Sequence, residues 1–234
     1  MKRIVTPILF CLLTLPLFGK VYLVSVGIAD YPGKENDLRV SAEDAKTISK
    51  IFLATKDASV QTLTNEEATQ GAMLSAMHTL FSEAGYDDVI MLYFSGHGTE
   101  GTLVCHDGFL SYQHIMRLLN GYQAKQKIVI VDACFAGKMR TSKQHSYDYN
   151  DKNVLFFLSS RTSEESKESP FKNSLFTIYL ERGLRGGADF NRDRQITAHE
   201  LYDFVHNGVV DISNGKQHPV MWGNFDNNMT IIKW

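Results

Sequence analysis

KIVIVDACFAG, residues 127–137, sets the architecture of this chain. Ile128 to Val131 is an unbroken apolar run, the pattern of a strand buried on both faces. Asp132 and Cys134 stand where that run gives out, and Gly137 closes the turn. A second stretch has the same design: DVIMLYF, residues 88–94, is followed at once by SGHG, which sets His97 between Gly96 and Gly98. In open α/β sheets, sites form beyond the carboxyl ends of the strands. If these two strands are neighbours, His97 and Cys134 face one another across one sheet edge, as a nucleophile and its base.

On either side of these stretches, apolar runs alternate with helical periodicity. Strands are expected at 20–28, 60–64, 88–94, 127–133 and 154–160, and helices at 41–54, 65–85, 112–120, 174–184 and 198–209. Ser41 is the expected N-cap of the first helix, with Asp44 in its first turn. GTLVCHDGFLS, 101–111, reads as a hairpin, and MTIIKW, 229–234, as an edge strand closing the sheet. The alternation makes the fold α/β with a mostly parallel central sheet flanked by helices. The polar stretch 137–153 is long for a connection, and connections of that kind are usually functional or disordered.

The sequence has 234 residues, enough for one domain with its own core. Hydrophobic residues make up 44% and charged residues 21%, an ordinary globular balance. The formal net charge of −2 gives no support to a nucleic-acid partner. Residues 1–19 start with Lys2 and Arg3, run apolar, and end near Gly19, the layout of a secretory signal peptide. The remainder, 20–234, is then one exported domain, secreted or periplasmic, with no stable membrane insertion once the signal is removed. Cys11 follows Phe10, which is too large for a lipoprotein cleavage site, so no lipid anchor is expected. Removal of residues 1–19 leaves Cys105 and Cys134, too few for a disulfide framework.

YFSGHG and DACFAG, in this order on successive core strands, resemble the caspase–metacaspase superfamily of cysteine peptidases, in its bacterial and metacaspase branch. The resemblance spans about residues 20 to 205 and implies the caspase-like three-layer sandwich. It also implies His97 as general base, Cys134 as nucleophile, and an oxyanion hole made by the amides of Gly98 and Cys134. Caspases carry glutamine two residues before the nucleophile; this chain has Asp132. By the same resemblance Asp44 joins Asp132 in the S1 pocket. Two carboxylates there suit Arg or Lys at P1, with Arg able to bond them as a fork. The expected substrates are proteins or peptides with a basic P1. Each acid also has a plainer use, Asp44 as a helix N-terminal charge and Asp132 as a turn carboxylate.

Further motifs remain open on sequence. Cys105 and His106 are a rival Cys–His pair, but strand neighbours point to opposite faces and cannot act on each other. Cys105 is therefore expected half-buried in the hairpin. A Cys105–Cys134 bond in an oxidising compartment would mask the nucleophile. The spacing of Cys105, Cys134, His97 and His106 matches no standard zinc pattern. Asp189, Asn191, Asp193, Gln195, Thr197 and Glu200 fall at positions 1, 3, 5, 7, 9 and 12 of an EF-hand loop. Arg194 stands where such a loop wants glycine, so Ca2+ there is either weakly bound or absent, and the chemistry needs no cofactor. Lys138, Arg140, Lys143 and Lys152 offer self-cleavage sites after the nucleophile, and Ser159 or Ser160 is expected to contact P1. Two functional classes follow: a secreted cysteine endopeptidase cutting after Arg or Lys, and a non-catalytic caspase-like module that binds a protein and is stabilised by calcium. Retention of both His97 and Cys134 favours the enzyme.

Overall fold

The computed structural model describes residues 19–99, 101–133, 154–160 and 172–234. Residues 1–18 of the expected leader (1–19), Cys134, the connection 137–153 and the stretch 161–171 lie outside the described residues.

The apolar runs become strands. β1 (Val21–Gly27), β2 (Ala58–Thr64), β3 (Val89–Ser95), β7 (Gln126–Asp132) and β8 (Val154–Leu158) pair in parallel. With β10 (Val220–Asn224) they form one sheet in the order β10-β8-β7-β3-β1-β2. Among the described strands only β10 runs antiparallel in it, held beside β8 by the Phe156–Trp222 stack at 4.2 Å. A separate antiparallel sheet is made by β4 (Gly98–Thr99), β5 (Thr102–Cys105) and β6 (Gly108–Ser111), where a hairpin was expected.

Each face of the large sheet has its own core. Along β3, Val89, Met91 and Tyr93 face one core, and Ile90, Leu92 and Phe94 face the other, as strand alternation dictates. The first core is closed by α1 (Ser41–Leu53), α4 (Leu175–Arg182) and α5 (Ala198–Ile212) through Ile48, Phe52, Phe176, Leu180, Leu201 and Val205. The second is closed by α2 (Gln70–Phe81), α3 (Tyr112–Asn120) and the small sheet through Met73, Met77, Ile115, Leu103 and Leu110. The mostly parallel sheet with helices on both faces, the three layers expected from the sequence, is the fold observed.

Three local expectations are corrected. Ser41 is the first helical residue and is buried; Val40 is the N-cap and gives no side-chain bond. The helix expected over 65–85 starts only at Gln70, capped by Thr69, whose hydroxyl accepts from the Ala72 amide, and stops at Phe81. Asn65 is the reason for the late start. It sits at φ 49°, and its side-chain oxygen accepts from the amides of Ala29 and Asp30, which ties it to the loop after β1. Finally, β11 (Thr230–Lys233) does not close the large sheet. It pairs with β9 (Gln195–Thr197), and the edge belongs to β10.

Candidate active site

β3 and β7 are neighbours in register, with Ser95 opposite Asp132. His97 therefore stands two residues past one strand, and Cys134 comes two residues past the equivalent point of the next. Cys134 itself lies outside the described residues.

His97 is held from three directions. Its amide donates to the Tyr31 hydroxyl at 2.9 Å, and that hydroxyl donates in turn to the Val104 carbonyl at 3.1 Å. The two rings meet at a centroid distance of 4.8 Å. Nε2 lies 2.8 Å from the Asn36 carbonyl oxygen. A carbonyl only accepts, so Nε2 carries the proton of the neutral ring, and Nδ1 is left as the basic nitrogen. Gly96 makes this approach possible: a Cβ there would come within 2.6 Å of the Tyr31 hydroxyl. Burial, the largest effect, pushes the Tyr31 phenol well above its ordinary value, so it stays a neutral donor. Gly98, expected in the oxyanion hole, is half-buried at the start of β4 and pairs across to Leu103.

The two acids come together beneath these turns. Asp44 is fully buried on α1, and Asp132, only 3% exposed, ends β7. Asp44 accepts from the Ser174 amide (3.0 Å), the Asn173 side-chain amide (2.8 Å) and the Ser95 hydroxyl (2.9 Å). Asp132 accepts a very short bond from the Ser174 hydroxyl and a longer one, 3.4 Å, from Thr177. Ser174 thus touches both carboxylates while it caps α4, its hydroxyl accepting from the Thr177 amide at 3.0 Å. Asn173 and Ser174 are contributors that sequence reasoning missed; a serine before a helix signals a cap but not a second carboxylate beneath it. Tyr93 closes the floor, bonded to Thr177 at 2.6 Å, and burial, then the charges of Asp44 and Asp132, raise its phenol strongly.

Burial, and then the charge of Asp132, lift the Asp44 carboxyl to about 7 against three hydrogen bonds that lower it. This shift has a cost in stability. An unfolded aspartate titrates near ~3.9, so between that value and about 7 the folded chain holds a proton the unfolded chain has lost. Stability conferred by this group falls as pH rises through that window, and the cost is complete above about 7. A buried carboxyl raised in this way by burial and a second acid makes Asp44 a functional-site candidate.

Other residues singled out in the sequence occupy definite places. The Ser159 amide donates to the Val131 carbonyl beside Asp132; Ser159 and Ser160 are both fully buried, and the Ser159 hydroxyl has no hydrogen-bond partner among the described residues. Cys105 is a free thiol, buried rather than half-buried, 3.5 Å from the Met73 sulfur. Burial and then Asp107 push it up to about 12, so it is inert as a nucleophile at neutral pH.

In the 189–200 loop, Asp189, Asn191 and Asp193 turn their oxygens onto the loop's own amides at 193, 194 and 195. Arg194 takes the left-handed backbone its position demands, at φ 65°, where a side chain costs about 1–2 kcal/mol. Glu200 accepts from the Thr197 amide and hydroxyl in a capping box at the start of α5. Among the described residues, no three His, Cys, Asp or Glu side chains converge to hold a metal. Here the loop's oxygens are turned to its own amides rather than to a shared centre.

Comparison with known proteins places the fold. The profile of the caspase domain family matches residues 22–229, and the chain belongs to that family, whose members are cysteine peptidases. Among solved structures, caspase-1 from Spodoptera frugiperda aligns with a TM-score of 0.71 at 17% identity, covering 92% of this chain and 91% of its own. A protein from Geobacter sulfurreducens aligns with a TM-score of 0.68 at 19% identity, covering 88% of this chain and 94% of its own. At such identities the likeness speaks for the fold alone. No curated protein matches the chain.

Proposed function

We propose that this protein is an exported cysteine endopeptidase that cleaves after Arg or Lys, with Cys134 as nucleophile and His97 as base. The observation that carries the reading is the buried Asp44–Asp132 pair bridged by Ser174, which Ser95, two residues before His97, joins through its bond to Asp44. A carboxylate pair attracts a guanidinium or ammonium and repels an acidic side chain. His97 Nδ1 takes the thiol proton, and the thiolate adds to the scissile carbonyl. The resulting oxyanion is met by the amides of Gly98 and Cys134. His97 then returns its proton to the leaving amine, and water completes hydrolysis of the acyl-enzyme by the same route in reverse.

The test is covalent labelling. A peptidyl-arginine chloromethyl ketone alkylates one residue, Cys134, as mapped by mass spectrometry, and an aspartyl analogue does not. Labelling by the aspartyl reagent at equal rate would remove the basic pocket from the account.

A pH dependence follows from Asp44. Its carboxyl is ionised above about 7 and protonated below. The ratio of kcat/KM for an Arg peptide to that for a neutral-P1 peptide therefore falls as pH drops through that value, while effects on the Cys–His pair cancel in the ratio. A ratio flat from pH 5 to 9 would contradict the pocket.

Two further features belong to this reading. Cleavage by the protein itself after Arg140 or Lys143 adjusts activity; an intact mass during full turnover would refute it. Calcium acts only as a weak stabiliser of the 189–200 loop, since Glu200 must leave its cap to reach an ion. Equal melting temperatures in calcium and in chelator would remove that part. Export fits the layout of residues 1–19, and among the described residues no helix is long and apolar enough to cross a membrane.

A further inference from the structure

The acids and a second concavity lie on opposite faces of the sheet, with His97 between them. Asp44, Ser95 and Asp132 continue the face covered by α1 and α4, the face of Tyr93 and Ile130. On the other face a cleft of about 480 Å³ runs from His97 along the small sheet. Its walls include Tyr31, Pro32, Val104 and Phe109, with Gly98 and Gly108 leaving room between them. A side chain at Gly108 would meet nothing within 4 Å. Among the described residues that line the cleft, none is an aspartate, glutamate, lysine or arginine. Phe109, on β6, is 60% exposed there. Lining the cleft and open to solvent, Phe109 offers an aromatic face to a group seated there.

Chemistry assigns the cleft a direction. The histidine that activates the thiol must also protonate the leaving amine, so the leaving chain departs past His97. With the P1 side chain anchored on the acidic face, that departure crosses to the cleft. We infer that the cleft is the leaving-side subsite, and that it takes an apolar or aromatic residue at P1′ or P2′, stacked on Phe109 and seated against Pro32 and Val104. This rests on the peptidase reading of the site. The acidic pair selects one side of the scissile bond by charge, and the cleft selects the other by apolar contact.

The experiment uses the mature protein and three substrates sharing one Arg-terminated acyl part: internally quenched peptides with Phe or with Asp at P1′ and P2′, and the methyl ester, which has no leaving-side residue. The expected kcat/KM for the Phe peptide exceeds that for the Asp peptide by about 10-fold or more, the size of a modest hydrophobic contact. Phe109→Ser brings the two peptides within about twofold of each other and lowers the Phe peptide relative to the ester. Equal cleavage of both peptides by the wild type, with the ester still hydrolysed, overturns the subsite and leaves the peptidase standing. An equal loss on peptides and ester in Phe109→Ser overturns it as well, by making Phe109 structural. An ester inert to the wild type removes the peptidase reading and this inference with it.

Discussion

Replacing His97 with alanine lowers kcat/KM for an Arg peptide by about 10³-fold, the middle of the range that a positioned acid–base group supplies. The loss falls on kcat, because the ring sits beside rather than within the carboxylate pocket. Tyr31→Phe separates position from chemistry. It keeps the ring that lies 4.8 Å from His97 but deletes the hydroxyl that accepts from the His97 amide. A drop of about 10-fold in kcat at unchanged KM is the expected result, in line with the net worth of one or two hydrogen bonds. A Tyr31→Phe protein that melts lower but turns over normally would make Tyr31 a packing residue. A fully active His97→Ala protein would end the dyad.

Specificity carries the second expected change. Asp132→Asn keeps the size of the side chain and an oxygen to accept from Ser174, so the fold survives. It removes one of the two charges that meet the P1 cation. Taking one partner from a buried charged contact costs about 2–5 kcal/mol, so kcat/KM for Arg and Lys falls by about 10²-fold or more while a neutral P1 is little affected. A second signature follows from the coupling. Because the Asp132 charge is, after burial, the largest cause of the raised Asp44 carboxyl, the substitution moves the acid limb of Arg selectivity to a pH below about 7. A merely structural role for Asp132 would lower all substrates alike and leave that limb in place.

Much of this was legible in the chain because its signals are local. β3 from Val89 to Phe94 and β7 from Ile128 to Val131 are apolar without interruption, and only a strand covered on both faces tolerates that. Asp44 also carries a signal in its phase. It lies four, seven and eight residues before Ile48, Ile51 and Phe52, all buried, so a charge sits on the apolar stripe of α1. What was not legible acts through groups that any residue has, or through distance in sequence. Asn36 orients His97 with its backbone carbonyl, which leaves no trace in residue type. Ser174 reaches Asp44 from 130 positions away. β10 is short and has Gly223 at φ 133° near its end, so it lacks the alternation of an edge strand, and its place is set by the Trp222–Phe156 stack. β11 was drawn from that edge by β9, a partner formed only because the 189–197 loop turns there.

On this account one thiol, at Cys134, cleaves after a basic residue chosen by Asp44 and Asp132. The deciding measurement is hydrolysis of fluorogenic peptides with Arg, Lys or Asp at P1 by the mature protein and by Cys134→Ala, under reducing conditions. Turnover of the Arg and Lys peptides, none of the Asp peptide, and loss of all turnover in Cys134→Ala is the expected result. Cleavage of the Asp peptide, or turnover that survives in Cys134→Ala, would contradict it.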